Sequence, residues 1–188
     1  MGTVPQQQAL TRGGAQAGDD IWVSGPLGTA ALALATMQGR YALDKDALAA
    51  CSVALHQPQP RTQLGLALRP IAHSAIDISD GLLADLGHIL KASRLGADLR
   101  FNDIPLSPIT RQHVADPAVQ SMVLAGGDDY ELCFTAPSAR REEIHALGTH
   151  LGLTMGMIVQ TRPSEGVDVY GADGKPLDIQ KAGFDHFA

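Results

Sequence analysis

Hydrophobic and polar positions alternate with period two in several short stretches and with helical spacing in the stretches between them. Residues 74–79, Ser-Ala-Ile-Asp-Ile-Ser, put Ile76 and Ile78 on one face of a predicted strand and Asp77 and Ser79 on the other. The run Leu82, Leu83, Leu86, Ile89, Leu90 then has helical spacing and predicts a helix to about Arg94, with Asp80 as its N-cap and Gly96 as its C-cap. Upstream, Asp20 to Ser24 reads as a strand, Gly25-Pro26-Leu27-Gly28 as a turn, and the Ala/Leu-rich stretch to about Met37 as a helix. Helices are expected over residues 45–56 and 62–70, separated by the proline-rich break His56 to Arg61. Further along come a strand at 97–101, short helices near 107–115 and 117–124, and a glycine-acid turn at 126–129. A strand follows in which Tyr130, Leu132 and Phe134 share one face. A helix over 138–150, strands near 153–159 and 166–170, and a turn at 171–174 complete the pattern. Strands and helices mix without a strict strand-helix-strand repeat, so the expected class is α+β, one domain with helices layered on a mixed sheet.

Composition narrows this picture. With 45% hydrophobic, 18% charged and only 4% aromatic residues in 188, the core must be built mainly from Leu, Ala, Ile and Val. A net charge of -6 and the lack of a basic stripe argue against a nucleic-acid surface or an anionic-membrane binder. No run of 18 apolar residues and no signal-peptide pattern is present, so the default location is cytoplasmic. Cys51 and Cys133 have no metal-binding spacing and read as small buried residues. The seven histidines form neither H-x-H nor H-E-x-x-H, so zinc is not expected. Asp85 and His88, three apart on one helix, read as a surface pair before a catalytic dyad. The Gly25 to Gly28 turn lacks the Gly-Lys-Ser/Thr of a P-loop and reads as a close helix-strand packing contact. No Gly-x-Ser-x-Gly elbow is present.

Two features carry chemistry. Asp77 and Asp80 arrive together at the mouth of a helix, a place that attracts anions through its backbone N-H groups. Two carboxylates there would repel a phosphate unless a divalent cation stood between them, as magnesium does between carboxylates and phosphate oxygens. The plainer reading is a cap plus a solvated aspartate. The second feature, Gly126-Gly127-Asp128-Asp129, pairs glycines that allow a close backbone approach to a ligand with two further carboxylates. Two such clusters in one acidic domain suggest a shared metal and ligand cleft. At the end of the chain, Phe184 and Phe187 suit core packing, or for Phe184 stacking on an aromatic ligand.

Ala9-Leu10-Thr11-Arg12-x-Gly14-Ala15, the Ser74 to Leu82 run, Gly126 to Phe134 and the ending Gly183-Phe-Asp-His-Phe187 together resemble thiamine-monophosphate kinase. The resemblance covers nearly the whole chain but only the C-terminal part of that family's protein. It implies the fold of the C-terminal domain of aminoimidazole ribonucleotide synthetase-like proteins, a layered α/β/α domain. It also implies an N-terminal domain outside this chain that supplies more acidic ligands and a glycine-rich ATP segment, and it leaves room for a homodimer. The activity implied is ATP-dependent phosphorylation of thiamine monophosphate to thiamine diphosphate by direct transfer, with Mg2+. By the resemblance, Arg12 and Ser79 contact ATP, Asp77 and Asp80 hold magnesium, and Asp128 and Phe184 contact the thiamine substrate, with no residue assigned as general base. Asp128 stands where the family usually has Glu, and Phe184 where Tyr or Trp can occur. The 188 residues alone are expected to have little kinase activity. The alternatives are another ATP-dependent enzyme of the same superfamily and a non-catalytic metal-binding or interaction module.

Overall fold

The computed structural model describes residues 4–6, 8–171 and 173–177. Its elements run in the order β1 (Asp20–Val23), α1 (Thr29–Met37), α2 (Lys45–His56), α3 (Thr62–Ala67), β2 (Ser74–Ile78), α4 (Leu82–Ser93), β3 (Gly96–Arg100), α5 (Pro108–His113), α6 (Pro117–Ala125), β4 (Glu131–Ala136), α7 (Arg141–Leu151), β5 (Gly156–Arg162) and β6 (Gly166–Tyr170). The strands form one six-stranded sheet in the order β2-β4-β1-β5-β3-β6. All neighbours are antiparallel except β3 and β6, which makes the sheet mixed.

Alternation along the strands assigns each face its own core. Ile21, Val23, Ile76, Ile78 and Cys133 point to one side, where they pack with Leu82, Leu86, Ile89 and Leu90 of α4 and Val123 and Leu124 of α6. Trp22, Phe134 and Ala136 point to the other, against Leu64 of α3 and Ile144 of α7. Trp22 and Phe134 sit opposite each other in register and stack with ring centroids 6.3 Å apart. A smaller third cluster joins Leu32 and Ala33 of α1 to Cys51 of α2 and Val119 of α6. Helices cover both sheet faces, so the α+β class expected from the mixed pattern and the α/β/α layering implied by the resemblance are both present. Both cysteines are buried and free. Among the described residues, no helix is long and apolar enough to cross a membrane.

Some boundaries differ from expectation for local reasons. Arg94, in the left-handed conformation with φ 56°, closes α4 in place of Gly96, which instead opens β3. A Cβ on Gly96 would lie 2.1 Å from the Ser164 carbonyl oxygen, so its glycine serves a close approach between strands. The strand at 156–162 begins three residues later than the apolar pattern suggested.

Candidate functional site

The end of β2 and the turn before β4 are clasped together backbone to backbone. The Asp128 N-H donates to the Ser79 carbonyl (3.0 Å) and the Tyr130 N-H to the Ile78 carbonyl (2.8 Å). The approach demands glycine on both sides. A Cβ on Gly127 would lie 2.4 Å from the Ser79 carbonyl oxygen, and one on Gly81 2.8 Å from the Ala125 carbonyl carbon. Glycine at 126 and 127 was expected to admit a ligand. These glycines instead admit the chain itself, Gly126 meeting Met122 and Ala31, and Gly127 meeting Ser79.

The helix mouth is also built differently from the sequence reading. Gly81, not Asp80, is the N-cap of α4, and it makes no side-chain cap bond. Asp85, one turn inside the helix, reaches back and accepts from the N-H groups of Ser79 (3.0 Å), Asp80 (3.0 Å) and Gly81 (3.2 Å). Asp85 is therefore buried rather than paired with His88 on the surface. Burial raises its carboxyl pKa above the ordinary value, while the bonds from the Asp80 and Ser79 N-H groups oppose the rise. A carboxylate already stands at the mouth where the sequence suggested an open seat for an anion. A phosphate brought here meets that carboxylate as well as Asp77 and Asp80, so cations are needed to offset the negative charge.

Tyr130 shows how the acidic residues converge. It does not belong to β4, since its φ of 52° lies in the left-handed region that a bulky residue avoids, and Asp128 shares that region at 67°. The Tyr130 hydroxyl lies 3.4 Å from Asp128 Oδ1. Its pKa is pushed up first by the charge of Asp128, then by burial, with Asp77 and Asp80 adding to the rise. Asp77 from β2, Asp80 from the turn after it and Asp128 from the turn before β4 thus act on one phenol. Asp77 itself is exposed, with Ser79, Asp80 and Asp128 partly buried. Leu132 and Phe134 keep the shared face expected of them, on the α3 side of the sheet.

Arg12 is exposed and follows Thr11, whose carbonyl accepts from the Ala75 N-H (3.0 Å) on the outer edge of β2. The structure thus carries Arg12 along the same strand that delivers Asp77 and Ser79. Phe184 lies outside the described residues. Among the described residues, no three acidic, imidazole or thiol groups form a ready metal cluster. The available donors are hard carboxylate oxygens of the kind magnesium takes one or two at a time, together with phosphate and water.

Asp129, Glu131 and Asp85 have supporting roles that the sequence reading did not assign to them. Asp129 Oδ2 accepts from the Gly28 N-H (2.8 Å) and so caps α1, whose own N-cap glycine has no side chain to do it. Glu131, buried, accepts from Arg61 Nε (2.7 Å) and from the Ser24 hydroxyl. This ties the proline-rich break before α3 to the start of β4. Only Asp85 left a usable trace in sequence, as an acid in the first turn of a helix. The partners of Asp129 and Glu131 are about 70 to 107 positions away.

Asp129 has a pH consequence. Burial, with smaller contributions from Glu131 and Asp128, pushes its carboxyl up to about 8 against the pull of the Gly28 and Ala30 N-H groups. An acid that holds its proton more tightly when folded than when unfolded contributes stability that is full below its ordinary value of 3.8 and lost as pH rises to about 8. Urea midpoints measured from pH 4 to 8 should therefore fall more steeply for the wild type than for Asp129→Asn. Parallel profiles would refute the assignment.

Comparison with known proteins places this geometry. No family model matches the chain. The thiamine-monophosphate kinase of Escherichia coli K12 is 42% identical over 189 residues, an alignment that takes in 100% of this chain and 58% of that protein. The chain is similar to thiamine-monophosphate kinases over its whole length. The crystal structure of thiamine-monophosphate kinase from Stenotrophomonas maltophilia K279a superposes with a TM-score of 0.83 at 42% identity, over 93% of this chain and 56% of that one. AaThiL complexed with AMPPCP and TMP superposes at 0.76 with 28% identity, over 95% of this chain and 54% of that one. The chain thus spans a little over half the length of the thiamine-monophosphate kinases it matches.

Proposed function

We propose that this chain is the C-terminal part of an ATP-dependent kinase that converts thiamine monophosphate to thiamine diphosphate by direct phosphoryl transfer. The observation that carries the reading is similarity over the whole of this chain, at 42% identity and 58% of the relative's length, to a protein named thiamine-monophosphate kinase. The complex of AaThiL with AMPPCP and TMP adds support, because a protein of the same fold holds an ATP analogue and TMP together. The backbone clasp that joins the Ser79 turn to the Asp128 turn supports the reading by keeping the two acidic turns side by side.

In this reading an oxygen of the acceptor phosphate attacks the γ-phosphorus of ATP. A new P-O bond forms while the bond to the β-phosphate oxygen breaks, and ADP leaves. The acceptor is already anionic, so the task of the protein is positioning and charge neutralisation, and no general base is assigned. Asp77 and Asp80 would hold Mg2+, which when bound supplies charge neutralisation at the phosphate oxygens. Arg12 offers a planar guanidinium with paired donors to an ATP phosphate, and the Ser79 hydroxyl offers a further donor. Asp128 would contact the thiamine moiety, and the resemblance assigns a contact to Phe184 as well, which lies outside the described residues. An N-terminal domain of the same protein completes the ATP site, and the kinase works in the cytoplasm.

The test is ADP release by the full-length protein with ATP and a panel of phosphate acceptors. Turnover should require thiamine monophosphate. Silence with it, alongside turnover of another member of the panel, would overturn the reading.

A further inference from the structure

Residues 11–19 run as an irregular strap from the outer edge of β2 to β5, and Arg12 rides on it. Leu10 and Ala15, on either side of Arg12 in the chain, pack against the cores of opposite sheet faces. Backbone contacts also flank Arg12. The Thr11 carbonyl accepts from the Ala75 N-H (3.0 Å), and Gly14 approaches the His73 carbonyl oxygen so closely that a Cβ would stand 2.6 Å from it. At the foot of the strap the Gly18 N-H donates to the Thr161 carbonyl (3.1 Å), and the Thr161 hydroxyl donates to the Gln16 carbonyl (2.5 Å). One side-chain pair closes this path. Asp19 Oδ2 accepts from the Gln16 N-H (2.8 Å) and lies 2.8 Å from Nδ1 of His73, the residue that precedes β2. The Asp19 side chain is 5% exposed and that of His73 28%. A carboxylate buried so deeply needs donors to satisfy it. Nδ1 therefore carries the hydrogen and donates, since a carboxylate only accepts. His73 thus joins the base of β2, the strand that delivers Asp77 and Ser79, to the strap that delivers Arg12.

We infer that His73 and Asp19 are positioning residues for Arg12: their contact holds the strap against β2 and so presents the guanidinium to a phosphate of ATP. The inference rests on the proposed function, which makes Arg12 an ATP contact. A guanidinium on a loose segment gives up backbone and side-chain freedom when it binds. On a pinned backbone part of that freedom is already gone, and the gain appears as affinity for the ligand that the guanidinium touches. The pair lies at the opposite end of β2 from the acidic turns, so it acts on ATP through the strap and not by contact with either substrate.

His73→Leu removes the donor and keeps much of the bulk. In the full-length protein it should weaken binding of the ATP analogue AMPPCP with Mg2+, titrated calorimetrically, by about tenfold, while affinity for thiamine monophosphate stays within about twofold of wild type. His73→Asn, whose amide N-H can donate to Asp19 from about the place of Nδ1, should restore AMPPCP affinity to within about twofold. Gly14→Ala reaches the same end by another route, because its methyl would push the strap off the His73 carbonyl with the side-chain pair left in place. In an Arg12→Ala background, His73→Leu should cost less than about twofold more, since residues that act through one another do not add. A further tenfold loss in that background, an equal loss for both ligands, or no rescue by asparagine would overturn the inference. So would unchanged AMPPCP affinity in His73→Leu and Gly14→Ala, or failure of both variants to fold, which would make the strap a support of the fold and not of Arg12. A wild type that does not bind AMPPCP would overturn the proposed function itself, so the two failures are distinct.

Discussion

Asp77→Asn and Asp80→Asn, each made in the full-length protein, are expected to lower kcat with thiamine monophosphate and ATP by about a thousandfold, the equivalent of about 4 kcal/mol of transition-state stabilisation. The expectation follows from what an amide cannot do. Asparagine keeps the size and one oxygen of aspartate but not its charge, and charge is what draws a divalent cation to phosphate oxygens. Stability should hardly change for Asp77→Asn. The Asp77 side chain is exposed, and its place in β2 is fixed by backbone pairing opposite Leu132. Surface changes of this kind usually stay within about 0.5 kcal/mol. Raised magnesium should restore part of the lost rate if the carboxylates act through the metal. Turnover within tenfold of wild type in both variants would remove them from the chemistry and favour a non-catalytic module.

The elements were legible in sequence because pattern and packing agree. Ile76 and Ile78 alternate and both reach the same core, and Leu82, Leu86, Ile89 and Leu90 follow a helical stripe into it. The end of β2 and the Gly126 to Asp129 turn, the two motifs that stood out in the sequence, meet through the Ser79 and Asp128 backbones. What the sequence could not convey was which groups occupy which backbone donors. Asp80 looked like a cap because Asp commonly caps helices, yet Gly81 is the N-cap, and Asp85 reaches back from inside the helix to different donors, the N-H groups of Ser79, Asp80 and Gly81. Tyr130 looked like a strand residue by alternation, but the clasp to Ile78 holds it at positive φ, outside the ladder. Such pairings depend on contacts between Ser79 and Asp128, 49 positions apart, and no local period records them.

That clasp makes the largest stability prediction. Gly81→Ala and Gly127→Ala should each destabilise the protein by about 3 kcal/mol, within the range of severe single substitutions. At Gly81 two costs add. Its φ of 119° and ψ of 151° lie near a region essentially confined to glycine, worth about 1 to 3 kcal/mol of strain for another residue. The new methyl would also sit within 3.0 Å of three backbone atoms of Ala125, which cannot swing aside as a side chain could. At Gly127 collision dominates, because the methyl would press on the Ser79 carbonyl that accepts the Asp128 N-H. Relief requires the two acidic turns to part, so surviving Gly127→Ala protein should also lose turnover. Gly152→Ala is the control. Gly152 has φ 66° but open space around it, so only the left-handed penalty of about 1 kcal/mol applies. In thermal unfolding, each kcal/mol shifts Tm by about 2 to 4 °C for a domain of this size. Gly81→Ala and Gly127→Ala should then melt about 10 °C below wild type and Gly152→Ala only a few degrees below it. If Gly81→Ala melts no lower than Gly152→Ala and Gly127→Ala melts with the wild type, conformational strain at glycine is sufficient and the backbone clasp between the acidic turns contributes nothing of its own.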